Sequence, residues 1–224
     1  MENMEKCFSC VDCGQFHCDP TVRVPNSRFP KSCLTTQLTE SELNDIFELY
    51  NDPENHTVMV AAAETESEHY GKITRIEEIM EICKKLGYKK IGIATCAGLI
   101  QEAKTAAKIF RLNGFEVFGV ICKIGAIKKT EIGIPEACMS TGPSMCNPIL
   151  QAKKLNEAKT DLNVVIGLCV GHDSLFYKYS DALCTALITK DRVLAHNPAA
   201  ALYTSNTYYR RLMKKPQIVD DKAE

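Results

Sequence analysis

The chain has 224 residues, 45% of them hydrophobic and 25% charged, which is typical of a globular protein with a substantial core. Its formal net charge is −1 without a basic stripe, so the sequence favours neither nucleic acid nor an anionic membrane surface as a partner. No apolar run approaches the roughly 20 residues that span a bilayer, and the N-terminus lacks the apolar stretch of a secretory signal. We therefore expect a cytoplasmic protein.

The cysteine content is high, with 12 in the chain. In a reducing compartment such a set is less often a disulfide framework than a collection of metal or cluster ligands together with some buried thiols. We therefore examine each cysteine as a candidate ligand. They are Cys7, Cys10, Cys13, Cys18, Cys33, Cys83, Cys96, Cys122, Cys138, Cys146, Cys169 and Cys184.

The first segment, residues 1–38, is predicted to be a cysteine-rich metal-binding unit. It has no helical or alternating apolar pattern, and a segment this short and poor in core residues usually needs a metal to fold. Cys10 and Cys13 supply a ligand pair on one turn, and Cys18 and Cys33 can complete a four-thiolate site, for example for zinc.

Two alternatives remain open for this segment. Cys7, Cys10 and Cys13 also have the spacing of ligands in iron–sulfur proteins, with Cys18 as the fourth ligand, which makes Cys7 an alternative to Cys33. The other interpretation is that these cysteines are free thiols on a disordered tail.

Residues 39–87 are predicted to form helices. Thr39 and Glu42 have the spacing of a capping box, which predicts a helix over about residues 40–50. A second helix is expected over about residues 54–69. The third carries Cys83 on its apolar stripe, so we assign this thiol to the core.

From residue 88 the pattern becomes strand, helix, strand. Residues 90–95 and 115–121 are the strands, and the intervening Ala-rich helix makes this a βαβ unit with parallel pairing. Cys96 follows the first strand directly, and Cys122 follows the second.

A third strand begins at Val164 in the stretch VVIGLCVGHDSLF. Its β-branched residues indicate a strand that is covered on both faces, and it is expected to end at Cys169, close to His172. Because the carboxyl ends of parallel strands meet at one edge of a sheet, we expect Cys96, Cys122 and Cys169 to lie at that edge. Cys184 begins a fourth strand and is assigned to the core.

The long irregular loop over residues 123–145 is expected to be functional, because loops of this length are uncommon in compact domains. It leads to Cys146, Asn147 and Pro148, a sequence that favours a helix start with Asn147 as N-cap. The partial positive charge of a helix N-terminus favours a thiolate at Cys146.

These elements predict an α/β fold with a mainly parallel Rossmann-like or flavodoxin-like sheet of about four strands. We expect flanking helices, a cysteine-rich metal knuckle over residues 1–38, and an α/β domain over residues 39–224.

The segments CVDCGQFHC, MCNPILQAKKLN, GLCVGHDSLF and KDRVLAHNP carry a resemblance that extends over almost the whole chain. The chain resembles the bacterial and archaeal family catalogued as domain of unknown function 1847, described as predicted metal-binding proteins. The resemblance implies a metal or iron–sulfur protein without an assigned reaction, and it supplies no catalytic residues.

Our main hypothesis is that Cys96, Cys122, Cys146 and Cys169 converge above the sheet and bind an iron–sulfur cluster, with the 4Fe–4S type favoured over zinc. Cys169 and His172 are then the candidate catalytic residues, and the partner is a small-molecule substrate or an electron-transfer protein. The competing interpretation is that these thiols are small hydrophobic residues packed at strand ends.

Two further interpretations stay open. Residues 167–171 have the G-x-C-x-G form of a nucleophile elbow, with Asp191 and His196 following in the order of α/β-hydrolases. This hydrolase interpretation explains none of the other cysteines, and too little chain follows Cys169 for that fold. The last possibility is a non-enzymatic binding or regulatory module stabilised by zinc.

Overall fold

The computed structural model describes residues 9–19 and 29–214. The chain divides into two compact units, residues 1–60 and residues 61–224. The predicted boundary after residue 38 stays a prediction. Of the described helices, none has both the length and the apolar character that crossing a bilayer requires.

Among the described residues, three α-helices come first, and strands then alternate with α-helices. They are α1 Glu40–Asn51, α2 Pro53–His69, α3 Arg75–Lys85, β1 Lys90–Thr95, α4 Ile100–Leu112, β2 Glu116–Ile121, α5 Pro148–Glu157, β3 Leu162–Ile166, α6 His172–Tyr179, β4 Leu183–Ile188 and α7 Ala199–Tyr203.

The first unit contains the predicted capping box at the start of α1. The Thr39 hydroxyl accepts a hydrogen bond from the Glu42 backbone N–H at 3.2 Å, and the Glu42 carboxylate accepts one from the Thr39 N–H at 2.8 Å. Asp52 then caps the start of α2, because its carboxylate accepts hydrogen bonds from the N–H groups of Glu54 and Asn55. The sequence therefore determines both helix starts locally.

The second unit is built on a four-stranded, wholly parallel sheet in the order β2-β1-β3-β4. This confirms the predicted α/β fold, and the order matches the first four strands of flavodoxin-like sheets. The central strands β1 and β3 are buried almost throughout, as parallel strands between two helix layers must be.

A close approach between β1 and β3 explains one glycine in the sheet. A Cβ atom on Gly92 would lie 2.0 Å from the side-chain oxygen of Asn163. That oxygen accepts a hydrogen bond from the Thr160 hydroxyl at 2.7 Å, and the Asn163 amide donates to Ser180 at 2.8 Å. The asparagine is therefore fixed, and only glycine fits opposite it.

The end of β3 differs from the prediction. The strand ends at Ile166, because Gly167 turns the chain with a φ of +63°. A Cβ atom on Gly167 would lie 2.5 Å from the side chain of Leu99, so a larger residue does not fit. The expectation that the strand continues to Cys169 is wrong: Cys169 lies in the loop that follows.

The strand order creates a crevice at the carboxyl edge of the sheet. The chain passes from β1 to β2 on one side, while β3 and β4 lie on the other, so the direction of winding reverses between β1 and β3. Doubly wound sheets bind their ligands at this reversal point. Here the loops over residues 96–99 and 167–171 border it.

Candidate functional site

Three thiols meet at the carboxyl edge of the sheet. Cys96 and Cys122 directly follow the paired strand ends Thr95 and Ile121, and they are 8% and 2% exposed. The Cys122 thiol interacts with the sulfur atoms of both Cys96 and Cys146. We call Cys96, Cys122 and Cys146 the thiol row.

Helix α5 holds Cys146 in this row. The N–H of Asn147 donates to the carbonyl of Cys122 at 2.7 Å, and the Asn147 side chain caps the helix through the Leu150 N–H. One turn further, the fully buried Gln151 donates through Nε2 to the carbonyls of Thr95 at 3.1 Å and Val120 at 2.7 Å. The start of α5 is therefore bonded to the ends of β1 and β2.

The interactions within the row favour thiolates at its two ends. The hydrogen bond from Cys122 lowers the pKa of Cys96 to about 4, and the Lys190 ammonium lowers it further in the same direction. The hydrogen bond from Cys122 likewise lowers the pKa of Cys146 to about 5, with Lys123 and His172 contributing. The same contacts, together with burial, raise the pKa of Cys122, so the proton stays on the middle sulfur.

The three sulfur atoms do not lie closely around one point. Within residues 9–19 and 29–214, only Glu68, His69 and Glu81 bring three metal-ligand atoms within 4.8 Å of one another. At least one pair of sulfur atoms in the row is therefore more than 4.8 Å apart. In a tetrahedral zinc site with Zn–S bonds of about 2.3 Å, all sulfur atoms lie about 3.8 Å apart.

The acidic group itself is a surface feature. Glu68 accepts a hydrogen bond from Lys85 at 2.9 Å, and its side chain is half exposed. Lys85 also lies 3.2 Å from Glu64, so Glu68 already has a cationic partner.

Positively charged side chains surround the thiols. Lys190 Nζ lies 2.7 Å from Cys96 Sγ, and Arg192 Nη2 donates to Cys169 Sγ at 3.0 Å. Lys123 donates to the Ser144 carbonyl at 2.6 Å beside Cys146. Sequence reasoning missed all three cations, although each follows a strand end and could have been found there by the rule that located the cysteines.

The predicted catalytic pair is only partly brought to the row. His172 is the first residue of α6 and acts electrostatically on Cys146. Cys169 lies in the preceding loop and takes its hydrogen bond from Arg192 instead of from another thiol. The N–H groups of His172 and Asp173 both donate to the Cys169 carbonyl, which fixes the backbone of this turn.

Cys169, Asp191 and His196 do not form the catalytic triad that the hydrolase interpretation requires. His196 accepts a hydrogen bond through Nδ1 from the Asp191 N–H at 3.1 Å. The Asp191 carboxylate in turn accepts from the N–H groups of Val193 and Leu194. These residues form a closed turn, and the partner of the Cys169 sulfur is a guanidinium rather than an imidazole base.

Four N-terminal cysteines surround a separate cavity in the first unit. This N-terminal cavity has a volume of about 300 Å³ and is lined by Cys10, Cys13, Cys18 and Cys33. The backbone N–H groups of Gln15 and Phe16 lower the pKa of Cys13. Cys7, the alternative ligand, lies outside the described residues.

The remaining described cysteines lie elsewhere. Cys83 is fully buried, and burial raises its pKa to about 12, in accord with a place in the core. Burial also raises the pKa of Cys184, which lies on β4. Cys138 is exposed in the loop after β2, where its carbonyl accepts a hydrogen bond from Lys129.

Comparison with known proteins identifies one family and one similar relative. Residues 33–187 match the model of a family described as a protein of unknown function, DUF1847. An uncharacterized protein of Methanocaldococcus jannaschii is 46% identical over 185 residues, which cover 82% of this chain and 95% of that protein. The family match includes the whole thiol row and Cys169, whereas Lys190 and Arg192 follow it.

Proposed function

We propose that this chain, which belongs to the DUF1847 family, whose description assigns no reaction, holds a thiolate-bound iron–sulfur cluster at the carboxyl edge of the sheet. Cys96, Cys122 and Cys146 would supply three ligands, and Cys169 the fourth. The observation that carries the proposal is the thiol row itself. Three segments that are distant in the chain each place one sulfur at the same edge, and two of these sulfurs have strongly lowered pKa values.

The donor set fits such a cluster in three respects. Thiolates are the ligands that iron–sulfur clusters take. Cys169 lies between Gly167 and Gly171, both with positive φ, on a loop beside the row. Lys190 and Arg192 would offset the negative charge that four thiolates bring to the cluster.

A cluster of the 4Fe–4S type would supply one-electron chemistry at the mouth of the crevice. The chain would provide the rest: Lys190 and Arg192 hold two of the ligand sulfurs, and His172 acts electrostatically on Cys146. This arrangement suits redox chemistry on a small molecule or electron transfer to a partner protein.

Anaerobic purification followed by metal analysis tests this proposal. We expect a broad visible absorption band and bound iron, both lost in Cys122→Ser because the middle ligand of the row is removed. The control is Cys184→Ser, which changes a partly buried cysteine on β4 and should leave the band intact. Colourless protein with stoichiometric zinc and no iron would contradict the proposal and favour a zinc-stabilised module.

The N-terminal cavity supports a second metal centre, for which zinc is the simplest occupant. Its four cysteines lie within a short stretch of chain around one space of about 300 Å³. Replacing both Cys10 and Cys13 with serine should remove this metal while the visible band of the sheet edge persists. Unchanged metal content in that variant would rule out the N-terminal centre.

A further inference from the structure

Among the described residues, the cations at the sheet edge have no carboxylate partners. Within the described parts of the chain, no carboxylate oxygen lies within 4.0 Å of the side-chain nitrogens of Lys123, Lys190 or Arg192. Their polar contacts are instead sulfur atoms and one carbonyl: Cys96 for Lys190, Cys169 for Arg192 and Ser144 for Lys123. The protein as a whole has a net charge of −1, so this concentration of positive charge is local.

The charges at this edge do not cancel. Three basic side chains, Lys123, Lys190 and Arg192, lie at this edge, and their polar contacts within the described residues are sulfur atoms and a carbonyl rather than carboxylates. The backbone contributes in the same direction, because the N–H of Ala97 points to the Cys122 sulfur at 3.3 Å. The edge therefore retains a positive excess that an anionic ligand can neutralise.

The position of two of these cations coincides with the ligand-binding crevice of the fold. Lys190 Nζ lies beside Gly98, where an added Cβ would be 3.6 Å away, and Gly98 is exposed. Arg192 reaches the opposite border of the crevice at Cys169, next to Val170, which is 90% exposed. The two cations thus contact the loops after β1 and β3, where Arg192 is exposed and Lys190 is partly buried.

We propose that this crevice binds a small oxyanion-bearing molecule, a carboxylate or a phosphate compound, through the Lys190 ammonium and the Arg192 guanidinium. The planar guanidinium can hold two oxygen atoms at once, while the ammonium supplies a point charge. The inference names the substrate class of the proposed redox site. It rests on the proposed function for the reaction, but not for the binding.

Calorimetric titration of the full chain, purified anaerobically, tests the binding. Inorganic phosphate and malonate serve as probes at constant ionic strength, with chloride as the reference anion. We expect the wild type to bind one of the two probes, and Lys190→Gln and Arg192→Gln each to weaken that binding at least about tenfold, as for the loss of a charge-assisted hydrogen bond. Preference for malonate assigns the carboxylate class, and preference for phosphate assigns the phosphate class.

Two further variants make the result specific. Lys178→Gln removes an exposed positive charge from α6, away from the crevice, and should leave binding unchanged. Arg192→Lys keeps the charge at an exposed position without the planar fork, so it should bind better than Arg192→Gln. If the wild type binds neither probe more strongly than chloride, or if the glutamine variants bind as the wild type does, the inference is wrong.

Iron content and the visible spectrum of the same samples separate this inference from the proposed function. Protein that lacks iron but binds a probe through Lys190 and Arg192 would contradict the proposed cluster and support the oxyanion site. Coloured, iron-containing protein that binds neither probe would support the proposed cluster and contradict the oxyanion site.

Discussion

The two cysteine-rich regions of this protein differ in how they are built. The thiols of the N-terminal cavity lie close together in sequence, and none of the described residues before Ala61 is buried. The thiol row, in contrast, joins residues up to 50 positions apart on a unit whose core contains more than 20 buried hydrophobic side chains. The described residues of the first region provide no buried core to hold its cysteines, whereas in the second the core of the folded chain holds the thiols in place.

The largest expected effect follows from removing metal from the N-terminal cavity with a chelator. Because none of the described residues before Ala61 is buried, the proposed metal would hold this segment together, and we expect its protection from protease to fall roughly 100-fold or more on chelation. The unit from residue 61 onward should keep its protection, since its core does not depend on metal. Mass spectrometry of the fragments measures both. Equal protection of the N-terminal segment with and without metal would contradict the contrast between the regions.

The loop that carries Cys169 should be disturbed by a substitution that changes no sulfur. Gly167→Ala places a side chain against Leu99 and imposes a positive φ on alanine, so we expect a loss of roughly 2–4 kcal/mol in the free energy of unfolding. Iron binding should weaken as well, because the loop to Cys169 is displaced. Denaturant unfolding and metal analysis measure the two effects.

The control for this substitution is Gly171→Ala. Its φ is also positive, at +84°, but a Cβ there meets no atom within 4 Å, so only the backbone strain of about 1–2 kcal/mol remains. A loss in Gly167→Ala no greater than in Gly171→Ala would show that the packing against Leu99 does not matter.

Alkylation as a function of pH compares a thiol of the row with a thiol outside it. Cys146 has a pKa of about 5, so in metal-free protein it is almost entirely thiolate above pH 6, and its rate should stay flat from about pH 6 to 8.5. Burial raises the pKa of Cys184, so its thiolate fraction and its rate should fall about tenfold for each pH unit below that value.

Both cysteines are partly buried, so access alone does not separate them. Peptide mapping after brief exposure to iodoacetamide gives the two rates. Parallel profiles would show that the contacts of Cys146 with Cys122 and Lys123 do not stabilise its thiolate. Lys123→Gln should raise the pKa of Cys146 and introduce a slope into its profile.

The smallest effect is expected from Cys138→Ser. This thiol is exposed and lies outside both cysteine regions, so the free energy of unfolding should change by less than about 0.5 kcal/mol. Iron and zinc contents should match those of the wild type. A loss of either metal would show that Cys138 is a metal ligand and would contradict this prediction.

Local sequence patterns were enough to predict most of the fold. The capping residues Thr39 and Asn147 start their helices as expected, because each contact is made within four residues. The prediction of parallel strands was also correct, and so were the predicted positions of Cys96 and Cys122 directly after two of them. The predicted end of β3 was wrong, because the chain turns at Gly167 with a positive φ where it packs against Leu99, which is distant in sequence.

The surroundings of the thiols were much harder to predict. Lys190 reaches Cys96 across 94 positions, and it does so only because β4 pairs with β3 rather than with β2. Periodicity cannot reveal this order, since β2 and β4 are each compatible with either edge. Gln151 was missed for a related reason: its partners are main-chain carbonyls of two strands, which leave no trace in the sequence.

The bonds from α5 to the strand ends bear on how the site would be filled. The Asn147 N–H and the Gln151 amide connect this helix to Cys122, Thr95 and Val120, so Cys146 cannot move away from Cys122 without breaking hydrogen bonds between the helix and the strand ends. Cys146 is thus held in place by the fold before any ligand binds, and little ordering would oppose the binding of the proposed cluster.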